Sequence, residues 1–191
     1  MRRVTEIMRA CGLREWPPGV PQKERDYYLS RGTAIHKATA LWDAGILNTG
    51  SMDERIAPFL HAWTRFRRET GGDVVASELR VEYPALDYGG TLDRIIRFCS
   101  LYPTGCLLAD IKTTQADVWT RLQTAGYRLA YRGEGQKRMK RGFVALRKDG
   151  TYRAGVYDED ARDKAAWMAC CQLAAWMERH NKFEERTGGT P

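Results

Sequence analysis

At 191 residues the chain is long enough for one domain with a sizeable core and too short for two comfortable ones. Hydrophobic residues make up 43% and charged residues 29%, the balance of a globular protein, and no apolar run of about 18 residues occurs, which excludes a helical membrane span. The formal net charge of +7 is concentrated: between Arg121 and Lys148 nine cationic residues face a single acid, Glu134, a distribution that suits a polyanion because phosphate contacts release counterions.

The opening Met1-Arg2-Arg3-Val4-Thr5-Glu6 is positively charged, but no apolar stretch follows it. No secretory signal is expected, and a cytoplasmic location is. Five cysteines, odd in number and without a Cys-x-x-Cys pair, are expected as buried free thiols rather than a disulfide framework or zinc site.

In chain order, Val4 to Leu13 reads as a short helix closed near Gly12. The three prolines between Trp16 and Pro21 exclude regular structure there. Ser30 is a plausible N-cap for a helix from Arg31 to Ala44, with Ala34, Ile35, Ala38, Leu41 and Trp42 as its apolar stripe. A second helix is predicted from Asp53 to Glu69, carrying Ile56, Phe59, Leu60, Trp63 and Phe66 at helical spacing and ended by Gly71-Gly72. The period then changes. Strands are predicted over Val75 to Tyr83 and Tyr88 to Phe98, joined by a turn at Pro84 to Asp87, and over Cys106 to Lys112. Helical spacing returns from Val118 to Tyr131. Two further strands, Phe143 to Leu146 and Thr151 to Val156, flank an Asp149-Gly150 hairpin signal, and a last helix runs from Glu159 to His180 before a loose tail from Thr187 to Pro191.

This order predicts an α/β fold, a central mixed β-sheet flanked by helices on both sides. One domain over 1–191 is expected: an N-terminal helix and Pro-rich loop to residue 30, a core over 31–158, and a C-terminal helix over 159–181.

Chemistry concentrates at the apolar run that ends in Asp110-Ile111-Lys112. Strand side chains repeat every second residue, so Asp110 and Lys112 share a face. Asp93, on the neighbouring strand, brings a second carboxylate to the same sheet edge. Two aspartates suit a hard divalent cation such as Mg²⁺, and a lysine beside them suits a water or a developing negative charge. Taken alone, Asp-x-Lys is a weak motif, and an ordinary surface ion pair accounts for it better.

Four short segments occur together and in order: Arg31-Gly32-Thr33-Ala34-Ile35-His36, Gly90-Thr91-Leu92-Asp93, Asp110-Ile111-Lys112, and Gln123-Thr124-Ala125-Gly126-Tyr127. This series resembles the RecB-type nucleases of the PD-(D/E)XK superfamily, which include phage exonucleases, over roughly residues 4 to 131. The resemblance implies a restriction-endonuclease-like core and a Mg²⁺- or Mn²⁺-dependent DNA exonuclease of phage-type processing or recombination. It also implies DNA as partner, linear and single-stranded or frayed at its ends. A structure-specific or single-strand endonuclease on the same site, and an inactive DNA-binding module, are the alternatives.

Carried over by that resemblance, His36, Asp93, Asp110 and the Ile111 carbonyl are metal ligands, with Lys112 as the catalytic lysine. Glu78 is preferred over Glu82 as an accessory ligand. Gln123 and Tyr127 lie one helical turn apart and would bind DNA phosphate or support the lysine. Tyr131 continues their face, and Arg121, Arg128, Arg132, Lys137 and Arg138 extend it as a DNA groove. An iron–sulfur cluster, found in some relatives, is not expected, because adjacent Cys170 and Cys171 point apart on a helix. Among the tryptophans, Trp63, Trp167 and Trp176 read as core, and Trp119 is the candidate for base stacking.

Overall fold

The computed structural model describes residues 1–187 except Arg14, Gln115, Glu134 and Glu159, with the backbone alone for Ser51 and residues 181–187. Of the loose tail expected from Thr187 to Pro191, Thr187 ends the last helix and residues 188–191 lie outside the described residues. Strand β1 (Arg2–Arg3) leads into α1 (Val4–Ala10); α2 (Gln22–Asp43) and α3 (Ala57–Thr70) follow. Next come β2 (Asp73–Tyr83), β3 (Tyr88–Arg97) and β4 (Cys106–Lys112). The chain closes with α4 (Thr120–Ala130), β5 (Met139–Leu146), β6 (Tyr152–Tyr157) and α5 (Asp160–Thr187).

Helix α2 begins nine residues before the predicted Arg31. Pro21 caps it, and the Gln22 amide donates to Asp26 one turn on at 2.8 Å. Ser30 is therefore an interior residue whose hydroxyl bonds back to the Tyr27 carbonyl at 3.0 Å, and the core boundary expected at residue 31 falls inside a continuous helix. In α3 the start shifts the other way. Asp53 caps a turn through the Arg55 amide at 2.9 Å, and the helix proper begins at Ala57 with Pro58 in its first turn.

The sheet is mixed, as expected. Strand β2 lies antiparallel along the whole of one flank of β3, whereas the other flank is divided. Its start pairs with β1 (Arg2↔Tyr88, Arg3↔Gly89) and its end with β4 (Arg94↔Ala109 to Arg97↔Cys106). Residues 90–93 therefore lie in a fork between two neighbours. Strand β4 runs parallel to β5 through the α4 crossover, and β6 returns antiparallel to β5.

Both faces are covered, which explains the nearly continuous apolar run of β4. Leu107, Ala109 and Ile111 pack with Ile35, Phe59, Trp63 and Phe66 of α2 and α3. Leu108 packs with Ile7, Tyr127 and Trp167 of α1, α4 and α5. Helices α4 and α5 meet closely at Gly126, where a Cβ would stand 2.7 Å from the Trp167 indole. Trp63 and Trp167 are fully buried, but Trp176, expected in the core, is 54% exposed and packs on His180 of its own helix, with ring centroids 4.0 Å apart. The Cys11 thiol donates to the Cys170 carbonyl at 3.5 Å. No helix among the described residues is long and apolar enough to cross a membrane.

Candidate active site

The fork in the sheet creates the site. Pairing of β3 with β4 stops at Arg94↔Ala109, and one step further the Ile111 amide donates at 2.6 Å to Asp93 Oδ2 instead of to backbone. That contact is made by the Ile111 N–H, whereas the sequence reading assigned Ile111 a role through its carbonyl. The other Asp93 oxygen lies 3.3 Å from His36 Nδ1, and Glu78 Oε1 lies 3.7 Å from the same nitrogen. Donor atoms of His36, Glu78 and Asp93 all fall within 4.8 Å of one another, so these three could hold a metal ion.

Glu78 reaches this point by leaving the strand pattern. Its φ is +48°, in the left-handed region, between the paired residues Ser77↔Arg94 and Leu79↔Leu92. Such a backbone costs a non-glycine residue about 1–3 kcal/mol and persists only where the surroundings enforce it. Here Arg94 enforces it. Its guanidinium, fully buried, donates to Glu78 Oε1 at 3.0 Å, the Asp93 carbonyl at 2.7 Å, Asp43 Oδ2 at 2.7 Å and Thr39 Oγ1 at 2.9 Å. Asp43, whose side chain is 2% exposed, also accepts from Trp63 Nε1 and Arg67 Nε. Glu82, on the same strand, pairs with exposed Arg80 at the surface, away from this network.

Sequence reasoning missed Arg94, Asp43 and Thr39. The available signal was a lone cation in Leu92-Asp93-Arg94-Ile95-Ile96, an otherwise buried register where an unpaired charge would be prohibitive. Asp43 also follows His36 by two helical turns.

Asp110 and Lys112 complete the site from the end of β4. Lys112 Nζ lies 2.6 Å from Asp110 Oδ2 and donates to Gln123 Oε1 at 3.0 Å; Gln123 in turn donates to the Tyr127 hydroxyl at 3.2 Å. The Gln-x-x-x-Tyr pair thus steadies the lysine. Tyr127 and Tyr131 are largely buried in the core, so of the two roles expected for the pair, support of the lysine is the one this geometry displays. Neither Asp110 oxygen has a well-aligned hydrogen-bond partner among the described residues, although its side chain is 1% exposed. A buried, under-satisfied carboxylate next to an imidazole and two further carboxylates is a donor set that fits a divalent cation.

The charges agree. Burial opposes protonation of His36, but the Asp93 and Glu78 carboxylates prevail and raise it to about 10. Burial pushes Asp110 up to about 6, with Asp93 adding to the rise and Lys112 opposing it. Asp93 is held below its usual range, its burial outweighed by His36 and Lys112. A proton on His36 thus occupies the place of a cation, and metal binding near pH 7.5 should expel about one proton. Calorimetry with Mn²⁺ in buffers of different ionisation enthalpy measures this directly. Affinity should rise by up to about tenfold per pH unit between pH 6.5 and 8.5; binding without proton release would contradict the charge state of His36.

These groups line a cavity of about 570 Å³ that also takes in Trp16, Tyr28 and Gln123. Trp119, the tryptophan singled out in the sequence, stands at the entry of α4 and lines no part of it; Trp16 does.

The basic stretch, expected as one DNA groove, spreads along α4 and the start of β5. Helix α4 runs back along the sheet, so Arg132 stands over the Tyr83 ring at the end of β2, and Lys137 and Arg138 lie next to the start of β5, which pairs with Cys106. Lys112 is six strand residues away, roughly 20 Å. Arg121 and Arg128 are engaged with α5: Arg121 pairs with Asp163 at 3.2 Å, and Arg128 with Asp160. Buried Arg141 joins both acids, at 2.7 Å to Asp160 and 2.6 Å to Asp163. Three cations of the stretch thus share the two acids of α5.

No family model and no curated protein sequence matches this chain. Among solved structures, an alkaline exonuclease from Laribacter hongkongensis is similar over 97% of this chain and 93% of that one, at 14% identity and a TM-score of 0.36. A likeness of that strength is too slight to carry an activity from one chain to the other.

Proposed function

We propose that this chain is a metal-dependent deoxyribonuclease of the RecB type, acting on DNA ends in processing or recombination. The observation that carries this reading is the convergence of His36, Glu78, Asp93, Asp110 and Lys112, from α2, β2, β3 and β4, on one cavity. His36, Glu78 and Asp93 would hold Mg²⁺ or Mn²⁺, with Asp110 as the further carboxylate. Carboxylates suit both ions, and the imidazole leans the set toward manganese. When bound, such an ion polarises a phosphate and lowers the pKa of a coordinated water.

The chain's own groups supply the rest. Lys112 is held between Asp110 and Gln123, so its ammonium is fixed where a phosphate oxygen or water would meet it. Asp110, pushed up to about 6 by burial, is still ionised at neutral pH and so offers its carboxylate beside Lys112. Neither group needs to reorganise as charge develops.

The exonuclease reading makes a specific demand on ends. End-labelled linear DNA, closed circular DNA and single-stranded circles should be incubated with Mn²⁺ and followed over time. Linear DNA should be shortened while both circles persist. Loss of the single-stranded circle would establish an endonuclease on the same site and overturn the exonuclease reading.

A further inference from the structure

The cavity around Lys112 does not stop at the end of β4. Thr113 and Thr114, the next two residues, line it and also line a second cavity of about 580 Å³ over the outer part of β5 and β6. Those threonines form a wall common to both. The second cavity lies at the carboxyl ends of the parallel strands β4 and β5, the edge where open α/β sheets receive ligands.

Its walls are cationic. Arg31 enters from α2, Arg147 and Lys148 from the β5–β6 hairpin, and Arg153 from β6. Among the described residues, none of these four has a salt bridge or a side-chain hydrogen bond. Arg31 is held 5.0 to 5.6 Å from the rings of Tyr27, Tyr28 and Phe59, and its Nε is buried without a hydrogen-bond partner. Two acids, Asp117 and Asp149, also stand in the wall, each held by hydrogen bonds to its own turn. Asp117 accepts from the Thr120 amide at 3.0 Å, and Asp149 accepts from the Thr151 amide at 2.9 Å and its hydroxyl at 2.7 Å.

The floor is aromatic. The half-buried Phe143 ring lies over Gly155, where a Cβ would come within 2.9 Å of it, and its centroid is 5.8 Å from that of Tyr157. Cations free of salt bridges around an aromatic platform suit a nucleic-acid strand with its phosphates at the rim and a base on the ring.

Resting on the nuclease reading, we propose that this second cavity binds the single-stranded nucleotides that adjoin the scissile phosphate, with a base stacked on Phe143 and phosphates on Arg31, Arg147 and Arg153. The substrate is thereby a single strand or a frayed end, because a base in a stacked duplex cannot reach the ring. The far-end cations Lys137 and Arg138 have no part in it.

Fluorescence anisotropy of a labelled hexathymidylate with the full chain in EDTA separates binding from hydrolysis. The double variant Arg147→Glu/Arg153→Glu should bind about tenfold more weakly and flatten the slope of log K against log salt by at least about 1.4. Phe143→Leu should lose about tenfold with the slope unchanged, since stacking releases no counterions. Lys137→Glu/Arg138→Glu should bind as wild type, and thermal midpoints check that each variant is folded. Wild-type affinity in both cavity variants, or a loss confined to the far-end pair, overturns the proposal while leaving the nuclease reading intact. Failure of the wild-type chain to bind hexathymidylate overturns this proposal; failure also to cleave any DNA with Mn²⁺ overturns both.

Discussion

Lys112→Ala should lower kcat for DNA cleavage by about 10²–10³-fold while leaving Mn²⁺ affinity within a few-fold of wild type. The separation follows from geometry. Lys112 stands beside the His36, Glu78 and Asp93 group without belonging to it, and its close contacts are Asp110 at 2.6 Å and Gln123 at 3.0 Å. Truncation removes the fixed cation but none of the donors of that group. Single-turnover cleavage and calorimetry on one preparation measure both halves. Gln123→Leu should fall in the same direction by a smaller factor, in kcat rather than KM, because it frees the lysine without removing it. A Lys112→Ala protein as active as wild type would end the account of this lysine.

The second large effect belongs to a residue that touches no substrate. Arg94→Met should destabilise the chain by about 3–5 kcal/mol, because a fully buried cation with partners on both sides leaves uncompensated charge behind. Asp43 would retain Arg67 and Trp63, which favours the lower part of that range. Glu78 would lose the contact that holds its left-handed backbone, and Mn²⁺ affinity should fall about 10–100-fold even where the variant is fully folded. Arg94→Lys should not restore it, since one ammonium cannot serve Asp43, Thr39, Glu78 and the Asp93 carbonyl together. Urea unfolding gives the first quantity and calorimetry below the transition gives the second. Unchanged metal affinity in a folded Arg94→Met protein would make the network structural only.

Particular residues show how far the sequence reached. Cys106 to Lys112 was legible at both ends, because an apolar run bounded by loop residues admits little else. The start of α2 was not: Ser30 competes as a cap by composition, and only the side chains before it, Gln22 and Asp26 among them, reveal that the helix has already begun. Strand β1, two residues long, is too short to show alternation. At the site, the spacing of Asp110 and Lys112 was visible, whereas the turn of Glu78 out of its strand was not, since it is imposed by Arg94 sixteen residues later. The partners of the basic stretch were hidden for a related reason. Its neutralising acids, Asp160 and Asp163, lie outside the stretch in sequence and meet it only through packing of α5 on α4. A local charge count cannot include partners supplied by the fold.

The central claim is that the five converging side chains form a metal-dependent hydrolytic centre. Release of nucleotides from labelled linear single-stranded DNA tests it most directly, comparing wild type in EDTA, wild type with Mn²⁺, and Asp93→Asn with Mn²⁺. The account predicts release only from wild type with Mn²⁺. Release in EDTA, or equal release from the Asp93→Asn protein, would contradict it.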